Sequence, residues 1–122
     1  MEIINLGGTE KRLYELIAPL VMNPAIIRRN NNYPFKTSNK YIWYIAIDNN
    51  EVIGFFPLKP IVNGYCLDNY YIKGDDKEII GTLLNNIITN LRSSYTLTAI
   101  VHKRHVKDFI ENGFVSAVQK QP

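Results

Sequence analysis

The chain has 122 residues, a length typical of one domain, and Leu, Ile, Val and Phe make up about a third of it, which excludes a disordered chain. The net charge of +3 is too small for a dedicated nucleic-acid binder, and the longest apolar run, Tyr41–Ile47, is too short to cross a membrane. The one cysteine, Cys66, cannot form an intrachain disulfide and the first residues lack the features of a signal peptide, so we expect a cytoplasmic protein.

Before residue 40 the sequence predicts one strand and two helices. The strand is Ile3–Leu6, and Thr9 after it is a typical N-cap for the first helix. Pro19 is expected to bend or end that helix, because proline in a helix interior lacks an N–H and clashes with the preceding turn. Asn23 is the expected N-cap of a short second helix over Pro24–Arg29, and a loop follows it.

Three strands of an antiparallel meander are predicted next, over Tyr41–Asp48, Glu51–Leu58 and Tyr65–Ile72. The turns between them are expected at Asn49-Asn50 and at Asn63-Gly64, the second of which is a strong signal for a two-residue hairpin loop. Gly54 and Pro57 stand inside the second strand, which predicts a bulge or the close approach of another backbone there.

Helical periodicity is clearest in the second half of the chain, where the apolar residues between Ile79 and Leu91 fall on one face of a helix. Gly113 stands where a left-handed residue ends a helix, and Phe114 is expected to pack on Phe109, as in a Schellman motif. The elements predicted after residue 75 are two helices and two strands: Asp76–Leu91, Tyr95–Val101, Lys103–Asn112 and Val115–Val118.

These elements, in this order, resemble the GNAT superfamily of N-acetyltransferases. The resemblance is carried by a hairpin with Gly54, a strand that leads into the long helix, the first turns of that helix and a later helix ending in Gly-Phe: Ile45–Phe55, Tyr65–Ile72, Ile80–Leu84 and Lys107–Phe114. It implies one α/β (α+β) domain over residues 1–122, with a mixed, mostly antiparallel central sheet flanked by helices. The family's last strand has no counterpart before Pro122, so we expect an open sheet edge and a homodimer that pairs through it.

The resemblance also implies a cofactor site and a reaction. In the family, acetyl-CoA lies between the strands that correspond to Tyr65–Ile72 and Tyr95–Val101, and its pyrophosphate binds N–H groups at the start of the next helix, where the helix dipole favours an anion. The amine of a small molecule or peptide attacks the thioester, and a tyrosine often protonates the leaving thiolate. The residues carried over as cofactor ligands are Tyr71, Ile72, Lys77, Ile79, Ile80, Gly81 and Thr82.

The sequence departs from the family pattern at two places. The cofactor motif begins with Gln or Arg and contains two small residues, and it falls on Asp76–Gly81, where Gly81 alone matches. Asp75 and Glu78 can instead form a capping box, and the carboxylates at this helix start would repel a pyrophosphate. The tyrosine of the family falls on Phe109, which cannot donate a proton.

Two residues are candidates for acid–base catalysis. Asp68 shares strand parity with Cys66, Tyr70 and Ile72, so we expect these residues on one face of the sheet unless a bulge intervenes, and Asp68 can serve as a base if that face lines the cleft. His102 ends the next strand, near the cleft of the family, and histidine accepts a proton near neutral pH. The alternatives are a solvated aspartate and a histidine that caps the following helix, on whose surface His105 is expected.

The basic residues form two clusters. Arg28 and Arg29 are predicted to bind an acidic acceptor, because the loop after them covers the acceptor site in the family. Tyr33 and Phe35 would form an apolar wall for that acceptor, and a solvated loop is the alternative. The second cluster, Lys103–Lys107, can contact phosphates or be an exposed helix face, and the two histidines and one cysteine lack the spacing of a metal site.

The sequence therefore leaves three functional hypotheses. The first is an acyl-CoA-dependent N-acyltransferase that moves an acetyl group to a primary amine. The alternative is a catalytically degenerate binding module of the same fold without tight CoA binding. The third is a protein that binds or modifies nucleic acid through the basic clusters, and a partner of this kind is less favoured because the net charge is only +3.

Overall fold

The structure is a computed structural model that describes residues 1–114 and the backbone of residues 118–119. Its strands are β1 Glu2–Gly7, β2 Ile42–Asp48, β3 Glu51–Ile61, β4 Gly64–Leu67, β5 Tyr71–Ile72, β6 Thr96–Val101 and β7 Val118–Gln119. Its helices are α1 Lys11–Val21, α2 Pro24–Arg29, α3 Lys77–Leu91 and α4 Val106–Glu111, and single 3-10 turns precede the last two at Lys73–Asp75 and Lys103–His105. Within these residues, no helix is long and apolar enough to span a membrane.

The strands form a mixed sheet in the order β1-β2-β3-β4-β6-β7, and β5 pairs with β3. Neighbouring strands from β1 to β4 are antiparallel, whereas β4 pairs with β6, and β6 with β7, in parallel. Leu13 and Ile17 of α1 are buried against one face of the sheet, and α3 and α4 cover the other. The predicted fold class, a mixed and mostly antiparallel sheet flanked by helices, is confirmed.

The end of the sheet lies partly outside the described residues. Of the predicted strand Val115–Val118, the structure describes Val118, which pairs with Ile100 of β6. The expectation that the last strand of the family is missing, and the homodimer inferred from it, concern the same part of the chain and stay predictions.

The first helix begins and ends differently from the sequence prediction. Its N-cap is Glu10, whose carboxylate accepts the N–H of Gly7, so the prediction of Thr9 was wrong. Pro19 lies inside the helix, which runs on to Val21. Val21 packs against the core beneath α1, and the free energy gained by this burial outweighs the loss of the one backbone hydrogen bond that proline cannot donate.

Both predicted hairpins form, but the second has a different turn. Asn49-Asn50 has positive φ at both residues, 49° and 63°, as a type I′ turn requires. In the second hairpin Ile61 pairs with Gly64, so the turn lies at 62–63 instead of the predicted Asn-Gly pair. Gly64 has a packing role, because a Cβ there would lie 1.8 Å from the carbonyl oxygen of Thr96.

A bulge divides the predicted strand Tyr65–Ile72 into β4 and β5. The pairing of β3 with β4 ends at Leu67, and its pairing with β5 begins at Tyr71, so residues 68–70 lie opposite only two residues of β3. Pro57, which has no N–H to donate, is one of those two residues. The bulge that the sequence predicts inside the second strand also forms, because the pairing of β2 with β3 shifts between Ala46 and Ile47, beside Gly54. The extra residue opposite Pro57 belongs instead to the neighbouring strand.

The extra residue reverses the alternation of faces along this part of the chain. Leu67 and Tyr70 both belong to the core beneath α3 and α4, although their spacing in an unbroken strand would separate them. Asp68 therefore lies on the opposite face from Tyr70, together with Cys66. The prediction that Cys66, Asp68 and Tyr70 share one face held for a strand without a bulge, and the bulge observed here makes it wrong.

The end of α4 follows the sequence prediction. Gly113 has a positive φ of 106°, and the N–H of Phe114 donates to the carbonyl of Phe109 at 3.1 Å. The two phenyl rings pack edge to face with their centroids 5.4 Å apart. These contacts form the predicted Schellman motif and hold α4 against the core.

Gly64→Ala is expected to lower the free energy of unfolding by about 3 kcal/mol, because the new Cβ would overlap the backbone of Thr96 and force β4 away from β6. Gly81→Ala is the matched control, since its Cβ meets Asn112 at 3.4 Å, an ordinary contact, and alanine gains about 1 kcal/mol of helix propensity. Urea unfolding of both variants measures the difference, and equal destabilisation would contradict this account of Gly64.

Candidate functional site

The sheet opens between β5 and β6. β4 and β6 run side by side from Gly64 and Thr96 to Leu67 and Ala99. Beyond that point β5 stays beside β3, with which β4 also pairs, while β6 continues beside β7. The two arms separate into the V-shaped opening in which the family resemblance places acetyl-CoA.

Tyr70 stands at the point where the two arms separate. Its side chain is 2% exposed and its ring stacks on Phe56, with centroids 4.7 Å apart. Its hydroxyl oxygen accepts the backbone N–H of His102, at the end of β6, at 3.1 Å. Tyr70 thus links one arm to the other at the base of the opening.

The Tyr70 hydroxyl begins a hydrogen-bonded chain to a carboxylate. It lies 2.7 Å from Nδ1 of His105, and Nε2 of His105 lies 2.7 Å from Oδ1 of Asp75. Burial alone would raise the pKa of Asp75, but the hydrogen bonds from Arg104 and His105 outweigh it and hold that pKa at about 2. Asp75 is therefore an anion at neutral pH, and it can only accept from His105.

The protonation state of this chain follows from burial. Burial lowers the pKa of His105 more than its hydrogen bond with Asp75 raises it, so the ring is neutral at neutral pH. With the hydrogen on Nε2 facing Asp75, Nδ1 is an acceptor and the Tyr70 hydroxyl donates to it. Burial also raises the pKa of Tyr70 well above its ordinary value, so this hydroxyl keeps its proton.

Asp75 also binds two arginines from other parts of the chain. Its carboxylate accepts from Nε of Arg104 at 2.9 Å and from the guanidinium of Arg29, at the end of α2. Arg104 also donates to the carbonyl of Arg29 at 3.2 Å. We name Arg29, Asp75, Arg104 and His105 the Asp75 cluster; it joins α2, the turn after β5 and the turn after β6 across the mouth of the opening.

The backbone of the turn before α3 aims Asp75 at this cluster. Gly74 and Asp75 both have left-handed φ values, 64° and 51°. Aspartate tolerates this conformation better than most residues, and the three contacts of its carboxylate, with Arg29, Arg104 and His105, offset the remaining cost. Asp75 is thereby turned away from α3, so the predicted capping box of Asp75 and Glu78 was wrong.

Asp76 caps α3 in its place. Its carboxylate accepts the N–H of Glu78 at 2.8 Å. A cavity of about 460 Å³ adjoins this helix start and is lined by Met1, Asp48, Ile53, Lys73, Asp76, Glu78 and Ile79. The helix start therefore presents two carboxylates, and Lys73 beside them is bound to Glu51 at 2.7 Å.

The seven residues predicted as cofactor ligands take different positions. Ile72, Ile79 and Ile80 are buried in the core, so only their backbones can meet a ligand. Tyr71 packs towards α1 on Phe55, and Lys77 is largely exposed with its ammonium 3.9 Å from Asp108.

Gly81 and Thr82, the last two of the seven, are both half-buried on α3. Gly81 faces Asn112 at the end of α4. The carbonyl of Thr82 accepts a side-chain N–H of Asn86 at 2.9 Å. The backbone of Tyr71 and Ile72 is thus the part of the predicted set that lies on an arm of the opening.

The two predicted catalytic residues lie on opposite sides of the sheet. His102 is 2% exposed, contributes its backbone N–H to Tyr70 and packs edge to face on that ring at 5.1 Å. His102 is the N-cap residue of the following turn, as the alternative predicted, and it caps through its carbonyl, which accepts the N–H of His105 at 2.9 Å, and not through its ring. Asp68 is half-buried, accepts the N–H of Asn69 at 2.7 Å and lines a second cavity, of about 200 Å³.

The predicted acceptor residues do not converge. Arg29 is bound to Asp75, and Phe35 packs edge to face on Phe55 of the core at 5.2 Å. Arg28 and Tyr33 are both exposed. None of these four residues lines the second cavity, which lies on the α1 face of the sheet. Its lining residues are Lys36, Tyr41, Pro57, Lys59, Asp68 and Asn69.

Sequence reasoning missed the role of His105, which was expected on a helix surface and is 1% exposed. It also gave Tyr70 and Asp75 no place in a site. His105 follows Tyr70 by 35 positions and Asp75 by 30 positions, so no local spacing joins it to either residue. The one available signal was the bulge expected near Pro57, which changes the face that Tyr70 occupies.

Comparison with solved structures finds a similar fold in N-acetylglutamate synthase from Neisseria gonorrhoeae, complexed with coenzyme A and N-acetyl-glutamate, at a TM-score of 0.51 and 14% sequence identity. The match covers 93% of this chain and 28% of that protein, so the chain spans little more than a quarter of its length. No family model and no curated protein matches the sequence. At this identity the similarity shows the fold alone, which is GNAT-like.

Asp75→Asn is expected to lower the free energy of unfolding at pH 7 by about 2 kcal/mol, because the folded protein holds the Asp75 pKa at about 2 against an ordinary 3.8. A lowered pKa gives stability that is present above the ordinary pKa and is lost as pH falls through the folded one. The difference between the variant and wild type should therefore shrink between about pH 4 and pH 2. Urea unfolding at a series of pH values measures it.

The control is Asp48→Asn, which removes an exposed carboxylate whose partner, the N-terminal ammonium, lies 3.7 Å away. This variant should differ from wild type by less than about 0.5 kcal/mol at pH 7. If both variants lost the same stability, or if the loss at Asp75 persisted at pH 2, the Asp75 cluster would not be the source of the effect.

Proposed function

We propose that this protein is an acyl-CoA-dependent N-acyltransferase that moves an acetyl group from acetyl-CoA to the primary amine of a small molecule or peptide. The observation that carries the proposal is the separation of β5 from β6 directly before α3, with a buried hydroxyl at its base. The GNAT-like fold supports it, since a protein of this fold is known in complex with coenzyme A.

The residues around the opening fit a thioester ligand in part. The backbones of Tyr71 and Ile72 lie on an arm of the opening and can bind an extended pantetheine chain, as an added strand would bind. The first turn of α3 offers N–H groups to a phosphate, and the ammonium of Lys77 stands beside it. Acetyl-CoA supplies an activated acyl group and a thiolate that leaves.

The protein's own groups are placed to move two protons. The carboxylate of Asp68 faces the second cavity and can accept the proton of an ammonium that binds there. The Tyr70 hydroxyl can turn from Nδ1 of His105 to a leaving thiolate and give it a proton, and the proton that the attacking nitrogen loses then restores the hydroxyl. Its ring lies 5.7 Å from Phe109, the residue that replaces the tyrosine of the family pattern.

A binding module without tight CoA binding is the second candidate. It is favoured by the Asp75 cluster, because a ligand between the arms must break the contacts of Arg104 and His105 with Asp75. Asp76 also places a carboxylate where the family pattern has a cation or an amide.

Titration of acetyl-CoA into the protein by calorimetry separates the two candidates. The enzyme should bind it, and saturation at a hundred times the dissociation constant should raise the apparent stability by about 2.7 kcal/mol, which is a measurable rise in Tm. It should also release CoA, followed by thiol detection, when primary amines are added. No binding at millimolar acetyl-CoA would favour the binding module.

Asp76→Arg is expected to tighten the binding of acetyl-CoA by about 5–30-fold, because one repulsion is removed and one attraction is added at a partly solvated site. The variant should lose about 1 kcal/mol of stability, since arginine cannot accept the N–H of Glu78. Glu111→Arg makes the same change of charge at the exposed end of α4 and is the control. Equal affinities for both variants would mean that the phosphates do not lie at α3.

Tyr70→Phe is expected to lower kcat by about 100-fold while the affinity for acetyl-CoA changes little, because the ring stays and the proton donor is lost. The exposed Tyr95 gives the control, Tyr95→Phe, which should keep full activity. The Tm of each variant shows whether it is folded. A folded Tyr70→Phe variant with wild-type kcat would remove Tyr70 from the reaction.

A further inference from the structure

The second cavity lies behind the bulge, on the face of the sheet opposite Tyr70. We name it the α1-side cavity; its lining comes from the loop before β2, from β3 and from the bulge itself: Lys36, Tyr41, Pro57, Lys59, Asp68 and Asn69. Because Asp68 and Asn69 form part of its wall, the cavity borders the bulge that leads into β5. A group bound here lies beside the segment that forms one arm of the opening.

The size of the cavity limits what can enter it. Its volume is about 200 Å³, below the roughly 300–1,000 Å³ of sites that bind drug-sized ligands. A molecule of amino-acid size fits this volume, and a peptide segment of several residues does not. The small-molecule part of the proposed acceptor class is therefore favoured over the peptide part.

The cavity is lined by charged side chains of both signs. Lys36 and Lys59 bring two ammonium groups, and among the described residues neither forms an ion pair. Asp68 brings a carboxylate. Burial raises the pKa of the neighbouring Tyr41, and the charge of Asp68 raises it further. Two cations attract an anionic group, and the carboxylate attracts an ammonium.

We propose that the α1-side cavity binds a small amine that also carries a carboxylate, with the amine towards Asp68 and the anionic group between Lys36 and Lys59. This rests on the proposed N-acyltransferase function and assigns it a substrate class. Lys36 and Lys59 are the residues that determine specificity, and Asp68 receives the proton of the amine. The sequence predicted Arg28 and Arg29 as the residues that bind an acidic acceptor, but Arg28 is exposed and Arg29 is bound to Asp75.

The test compares amines that differ only in the anionic group, 4-aminobutyrate and butylamine. Wild type should acetylate 4-aminobutyrate with a kcat/KM at least about 10-fold above that of butylamine. The double substitution Lys36→Gln with Lys59→Gln should lower kcat/KM for 4-aminobutyrate by about 10-fold, mainly through KM, and change that for butylamine by less than about 2-fold. Lys40→Gln, an exposed lysine of the same loop outside the cavity, should change neither.

A binding measurement separates this inference from the proposed function. Calorimetric titration of 4-aminobutyrate, without acetyl-CoA, should show binding to wild type and to Lys40→Gln, and about 10-fold weaker binding to the double variant. If 4-aminobutyrate binds in this way but no CoA is released, the cavity assignment stands and the transferase proposal fails. If CoA is released but butylamine is preferred, or the double variant behaves as wild type, the transferase proposal stands and the cavity assignment is overturned.

Discussion

The bulge opposite Pro57 determines where the candidate functional groups of this protein lie. Three residues of one strand face two of its neighbour there, so the alternation of faces reverses between β4 and β5. Tyr70 consequently faces α3 and α4, and Asp68 faces the side of α1. In a continuous strand both side chains would point the same way. The interruption therefore places a carboxylate and a proton-bearing hydroxyl on the two sides of one short backbone segment.

The Asp75 cluster opposes the entry of a ligand into the opening. Its carboxylate neutralises Arg29 and Arg104, two cations that an anionic ligand would otherwise meet. If these contacts stabilise the closed arrangement by about 2 kcal/mol, the open one is populated to about 3%, and a ligand that needs it binds about 30-fold more weakly than its own contacts allow. A ligand phosphate that takes over the two arginines would recover part of this loss. The same contacts would thus stabilise the folded protein and weaken the binding of any anionic ligand between the arms.

Local patterns predicted the elements of this fold but not its site. The amphipathic spacing from Ile79 to Leu91 fixes α3, because only a helix brings those residues to one buried face. Asn49-Asn50 marked its turn correctly, since both residues tolerate a positive φ. The chain from Tyr70 to Asp75 depends on a strand bulge and on a left-handed aspartate, neither of which hydrophobic periodicity records. Even with a bulge expected near Pro57, the side-chain directions after it cannot be assigned without knowing which strand carries the extra residue.

The pair Phe109 and Tyr70 shows why a motif compared position by position gives an incomplete account of chemistry. Phe109 is fully buried, and its ring packs on Tyr70, Phe56 and Phe114 with the role of a core residue. A hydroxyl at that position would need a partner inside this apolar cluster. Tyr70 has its partners, the N–H of His102 and Nδ1 of His105, and approaches the opening from the sheet instead of from α4. A side chain that donates a proton must lie near the acceptor in space, and a neighbouring element can place a hydroxyl there when the residue at the compared position carries none.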